Sequence, residues 1–269
     1  MNSKVVLITG GSSGIGKSIG QFLKTKGFTV YGTTRNLSKS TNFTSFELLE
    51  MDVTDVATIQ NALSKIIERE GRLDVLINNA GIGITGPIEE TPHEEILKVF
   101  DTNLNGPIHM MKSVLPIMRE QRSGLIINIT SIAGYMGLPY RGVYSATKGA
   151  MGLITEALRM EVKDSGVHIT NVAPGDFATN IASGRYHSPV LENSPYKVPY
   201  ASTLEQINEG VNDGEDPILV ARAILKIINT KKPKVHYKVG SFMQKFSLFL
   251  KNALPDKVYE KLLLSHYKL

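Results

Sequence analysis

Two rhythms alternate along the chain. Short β-branched runs, the pattern of strands buried on both faces, take turns with longer stretches carrying an apolar residue every three or four positions. Lys4 to Thr9, Thr29 to Thr33, Phe46 to Met51, Leu73 to Ile77, Leu125 to Ile129, Val167 to Val172 and Val235 to Val239 read as seven strands. Helices are predicted between them. One spans Val56 to Glu70, capped by Asp55, with Ile59, Leu63, Ile66 and Ile67 inward. The next starts at Thr91-Pro92, with Thr91 as its cap and Ile96, Leu97, Phe100 and Leu104 as its inner stripe. Ile108, Met111, Leu115 and Met118 mark another. Met151, Ile154, Leu158 and Val162 mark the helix that opens near Tyr144 and that Gly166 closes, and Pro217 to Asn229 completes the set. Strands alternating with helices predict one α/β domain around a parallel sheet, over residues 1–240. From about 175 to 215 the Gly, Ser and Pro content predicts a loop over the site, and 241–269 form a helical extension.

Composition narrows the function classes. The net charge is +5, yet Lys and Arg are spread along the chain with only a mild excess after Lys226, which speaks for an anionic ligand rather than nucleic acid. There is no cysteine, so disulfides, thiol nucleophiles and thiolate metal sites are excluded. His93, His109, His168, His187, His236 and His266 lack ligand spacing, and no metal is expected. Val5 to Ile8 is too short for the hydrophobic segment of a signal peptide, and no run reaches the length of a membrane span. A cytoplasmic protein is the expectation.

Candidate chemistry lies at the ends of the strands. Thr9-Gly10-Gly11-Ser12-Ser13-Gly14-Ile15-Gly16 joins the first strand to a helix carrying Ile19, Phe22 and Leu23. Glycines there allow a sharp turn and close approach to a phosphate, with helix N–H groups aimed at the anion. The second strand ends in Thr34-Arg35-Asn36, where a dinucleotide fold usually places an acid for the ribose. An arginine instead suits a 2′-phosphate, so NADP(H) is favoured over NAD(H). Asp52 and Val53 stand where an adenine edge would lie, and Asn78-Asn79-Ala80-Gly81 ends the fourth strand. Ser131 follows the fifth strand. Tyr144 and Lys148, four apart, share a helix face. A fixed ammonium ion beside a phenol favours the phenolate, which makes Tyr144 a candidate proton donor and acceptor.

This ordered set resembles the short-chain dehydrogenase/reductase family over about Lys4 to Val239. The residues that carry the resemblance are Thr9-Gly10-x3-Gly14-Ile15-Gly16, Asn78-Asn79-Ala80-Gly81, Asn103, Ser131, Tyr144-x3-Lys148, and Pro174-Gly175 with Thr179. It implies a doubly wound Rossmann-type fold and hydride transfer between a nicotinamide and a carbonyl or alcohol. By the same resemblance, Tyr144 would be general acid in reduction and general base in oxidation, and Ser131 would hydrogen-bond the substrate oxygen. Lys148 would hold the nicotinamide ribose, Asn103 would anchor a water leading to solvent, and Pro174, Gly175 and Thr179 would contact the nicotinamide. A homodimer or homotetramer through the helices carrying Met111 and Met151 is implied too. More narrowly, Gly32 to Asn36, Gly83 to Glu90 and the tail resemble the branch containing 17β-hydroxysteroid and retinol dehydrogenases. An apolar ketone or aldehyde is the expected small-molecule substrate. The competing reading is a non-catalytic NADP(H)-binding sensor or scaffold.

In the tail, Phe242, Phe246, Phe249 and Leu250 form an apolar stripe, Pro255 interrupts it, and Val258, Leu262 and Leu263 form a second piece. A flap over substrate, a subunit contact and a membrane-surface anchor all fit such a stripe, and packing against protein is the expectation.

Overall fold

The computed structural model describes residues 3–177, 184–212 and 214–269. Seven parallel strands form one sheet: β1 (Val5–Ile8), β2 (Thr29–Thr34), β3 (Glu47–Glu50), β4 (Val75–Asn78), β6 (Gly124–Ile129), β7 (Val167–Pro174) and β9 (His236–Val239). Their order across the sheet is β3-β2-β1-β4-β6-β7-β9. Winding therefore runs outward in both directions from β1 and β4, and the crevice beyond their carboxyl ends is where such sheets bind ligands.

Alternation along β1 divides the core. Val5 and Leu7 face one layer, made by α2 (Val56–Glu70), α4 (Gly106–Glu120) and α5 (Gly142–Glu161) through Ile59, Leu63, Met110, Val114 and Met151. Val6 and Ile8 face the other, where α1 (Gly14–Thr25) and α7 (Ile218–Ile228) contribute Ile19, Leu23, Val220 and Ile224. Asp55 caps α2 as expected, its carboxylate accepting from Ala57 N. Helical periodicity and strand alternation agree here, which is why these boundaries were readable.

Other expectations need correction. In α3 (His93–Phe100) Thr91 does not cap: its hydroxyl donates to the Pro87 carbonyl at 2.6 Å, inside a buried cluster with Ser188. The inner face is also different, with Leu97 exposed and Val99 buried: Ile96, Val99, Phe100 and Asn103 share the inward side, and the π turn Asp101–Asn105 follows before α4. α5 ends at Glu161; Gly166 instead turns the chain into β7 at φ +79, where a side chain would meet the Arg122 carbonyl.

The segment expected as a loop over the site has structure. Tyr186–His187 is a short strand, β8, pairing in parallel with β5 (Ile84–Thr85), and Lys197–Asn212 is a helix, α6. The tail forms α8 (Phe242–Ala253) and α9 (Asp256–His266). Leu248 and Tyr259 are the residues that dock it, while Phe242, Phe246 and Phe249 face outward.

Candidate active site

The glycine turn is held by its neighbours. Gly10 takes φ +64, Gly11 N donates to Thr33 O at 2.9 Å, and Asn79 Nδ2 donates to the carbonyls of Thr9 (3.0 Å) and Gly10 (3.1 Å). Asn79 N and Ala80 N both donate to Thr9 Oγ1 at 2.9 Å. The Asn-Asn-Ala-Gly strand end thus pins the turn beside it. A Cβ on Gly16 would stand 2.5 Å from Asn79 Nδ2, so only glycine lets α1 approach this closely. Ser13, at the cap position of α1, makes no side-chain cap hydrogen bond, and the helix N-terminus is left to an external anion. A narrow cradle with uncapped N–H groups fits a dinucleotide's phosphates; Ser12, Ser13, Gly14 and Ile15 are the residues at its edge. Arg35 is exposed just past β2. Asp52 accepts from Thr54 N at 2.9 Å, which fixes the chain next to the buried Val53.

Ser131, Tyr144 and Lys148, the candidate proton-handling residues, gather over the carboxyl ends of β4, β6 and β7. Ser131 Oγ accepts from Ala133 N at 3.1 Å, so its own proton is free to point into the cleft. Lys148 is buried, donates from Nζ to Ile129 O at 3.1 Å, and lies 5.9 Å from the centre of the Tyr144 ring. Burial pushes the Lys148 pKa down, and the Tyr144 charge opposes that shift. Arg141 stands 5.4 Å over the same ring. Tyr144, Ser131, Lys148, Asn79, Gly81, Pro174 and Gly175 all line one cleft of about 810 Å³ including its open mouth.

Asn103 is positioned by the π turn, but its amide is committed. Nδ2 donates to Ile82 O at 2.8 Å and to Thr147 Oγ1 at 3.3 Å, while Oδ1 accepts from Ile82 N at 2.8 Å. With both amide hydrogens taken, this side chain holds the Ile82 backbone in place beside Lys148. Thr179 lies outside the described residues.

The family profile described as short chain dehydrogenase matches residues 4–188. The chain belongs to the short-chain dehydrogenase/reductase family. It is 40% identical to a 3-ketodihydrosphingosine reductase of Bacteroides thetaiotaomicron, over 97% of this chain and 96% of the relative. An NADPH-dependent 3-dehydrocapnine reductase of Ornithobacterium rhinotracheale is 30% identical, over 96% and 95% of the two chains. Among solved structures, a short-chain dehydrogenase from Streptomyces avermitilis aligns with a TM-score of 0.82 at 32% identity, covering 100% of this chain and 97% of that one.

Around its substrate side, this short-chain dehydrogenase carries residues that the sequence reading missed. Arg185, next to β8, lines the cleft, and its Nη1 is buried without a hydrogen-bond partner among the described residues. Burial and the nearby Arg141 cation both lower the Arg185 pKa. His187 is held at 2.7 Å by Thr85 Oγ1, and burial followed by the Arg185 charge pulls its pKa down as well. Asp176, at the end of β7, accepts from Gln244 Nε2 of α8 at 2.9 Å. Only Arg141 carried a local signal, three residues before Tyr144 at helical spacing. The others meet across long stretches of chain. A buried polar chain was missed too: Asn78 Nδ2 donates to Asn128 Oδ1 (2.8 Å), Asn128 Nδ2 to Thr155 Oγ1 (2.8 Å), and Thr155 Oγ1 to Asn171 Oδ1 (2.7 Å). It ties α5, and with it Tyr144 and Lys148, to the sheet in one register.

Proposed function

We propose that this oxidoreductase is an NADPH-dependent reductase of a keto group on an apolar, long-chain substrate, of the 3-keto lipid-base kind named in the two relatives rather than a steroid or retinoid. The observation that carries the reading is the convergence of the Ser131 hydroxyl, the Tyr144 phenol and the Lys148 ammonium on one cleft beside the glycine cradle. When bound, the reduced nicotinamide supplies the hydride. Negative charge developing on the substrate oxygen meets a hydrogen bond from Ser131. Tyr144 gives that oxygen its proton, and the phenolate left behind faces the Lys148 ammonium. In this reading Arg35 would hold the 2′-phosphate, Asp52 and Val53 would border the adenine, and Gly81, Pro174 and Gly175 would border the nicotinamide. The NADPH in one relative's name supports the cofactor choice.

Tyr144→Phe is the test. Turnover of a 3-ketosphinganine substrate with NADPH is expected to fall by about 10²- to 10⁴-fold while NADPH binding is kept. Undiminished turnover would discard Tyr144 as the proton donor, and oxidation of NADPH with steroid ketones alone would discard the lipid assignment.

A further inference from the structure

Single exposed apolar residues are ordinary, but α8 exposes a continuous row. Phe242 is 74% exposed, Met243 69%, Phe246 38% and Phe249 62%. Phe242 and Phe246 stack at 5.8 Å between ring centres, and Phe246 and Phe249 at 5.9 Å, forming a ladder along one side of the helix. The opposite side is the docked one: Leu248 is buried, and Gln244 reaches Asp176. A helix already held on its inner face gains nothing for the fold from three phenylalanines on its outer face.

Charge says what covers them. Across α8, α9 and the residues that follow, Lys245, Lys251, Lys257, Lys261 and Lys268 stand against Asp256 and Glu260, with Lys251 paired to Asp256, while Lys231 lies with Lys4 and Gly124 at the amino end of the sheet, away from the ladder. Lys245 is exposed on α8 itself, beside the ladder. Two copies meeting through this face would oppose like charges, whereas an anionic lipid surface is complementary to it. No helix among the described residues is long and apolar enough to cross a membrane. We infer that the Phe242–Phe249 face of α8 is a bilayer-docking surface for anionic membranes, with the rings in the headgroup boundary and the tail lysines over the phosphates. α8 leans on the cleft through Gln244 and Asp176, and Tyr259 of α9 reaches Met136 beside it. Docking would then place the lipid across α8 from the cleft, so that an amphiphilic substrate drawn from the bilayer reaches the cleft around that helix. Docking itself does not depend on the keto-lipid reading; the delivery of substrate does.

Co-sedimentation with vesicles tests it without any substrate. The full chain should pellet with mixed phosphatidylcholine–phosphatidylglycerol vesicles, less with phosphatidylcholine alone, and less as salt rises. Phe246→Asp combined with Phe249→Asp should reduce pelleting by about tenfold or more, because two rings leave the boundary. NADPH binding by this variant, measured by fluorescence, should match the parent and shows that it is folded. The inference is overturned if the parent stays in the supernatant with anionic vesicles, or if the variant pellets equally. It is also overturned if the parent is an oligomer in solution that the same two substitutions dissociate, which would assign the face to a second copy.

Discussion

At the glycine turn almost every contact is made by main chain or by a pin to main chain, whereas the opposite rim of the cleft is made by side chains. Thr9, Gly10, Gly11 and Gly16 present backbone, and Asn79 holds that backbone in place. Across the cleft, Arg185, Asp176 and Arg141 present charge and shape, Arg185 beside a two-residue strand pair and Asp176 held by Gln244 of the tail. A cofactor shared by a family can be gripped by groups every residue owns. Substrate choice needs side chains, and these come from segments whose pairing no local pattern announces.

That contrast is open to direct attack. The largest effect is expected from Gly16→Ala, whose new methyl would press on the Gly10 carbonyl and the Asn79 amide. NADPH affinity should drop about a hundredfold in a fluorescence titration, since the cradle has no flexible side chain to give way. Retained affinity would mean that the turn is looser than its hydrogen bonds imply. Arg35→Ala comes next: loss of a charge-assisted contact should weaken NADPH about tenfold and leave NADH nearly unchanged. Equal losses would remove the phosphate role. On the rim, Gln244→Ala frees Asp176 and should raise the KM for the keto substrate a few-fold, with a smaller change in NADPH affinity because Gln244 also packs on Gly175.

The smallest effect is one of pH. Because burial lowers the Lys148 pKa, its ammonium is lost at a lower pH than that of an ordinary lysine. Turnover should therefore begin to fall on the alkaline side earlier than an unperturbed lysine would allow, and Lys148→Arg should remove that early fall whatever it does to the maximum rate. The same shift has a sign for stability. Between the lowered folded value and the ordinary lysine value the unfolded chain binds the proton and the folded chain does not, so the burial penalty is relieved as pH rises through the folded value. Thermal melts of the unliganded protein across that window would show the trend.

Much of this was legible in residue order. Val5 to Ile8 had to be an inner strand, and Asp55 had to cap α2, since each depends on residues a few positions away. The pairing of Tyr144 with Lys148 was legible for the same reason, because a helix fixes residues four apart on one side. The inner face of α3 was not legible, because Leu97 and Val99 are both apolar and only the packing of the helix chooses between them. Nor was the task of Asn103, whose partner Ile82 lies in another loop.

The sequence by itself determined the parallel sheet, the glycine turn and the pairing of Tyr144 with Lys148 on one helix face, because helical and strand periods and backbone sterics act within a few residues. Only the tertiary structure decided that Arg185 and Asp176 border the same cleft as Tyr144, and that the phenylalanines of α8 look outward while Leu248 looks in. An amphipathic stripe states that one side of a helix is apolar. Which side meets protein is settled by what packs against it, and that contact joins residues far apart along the chain.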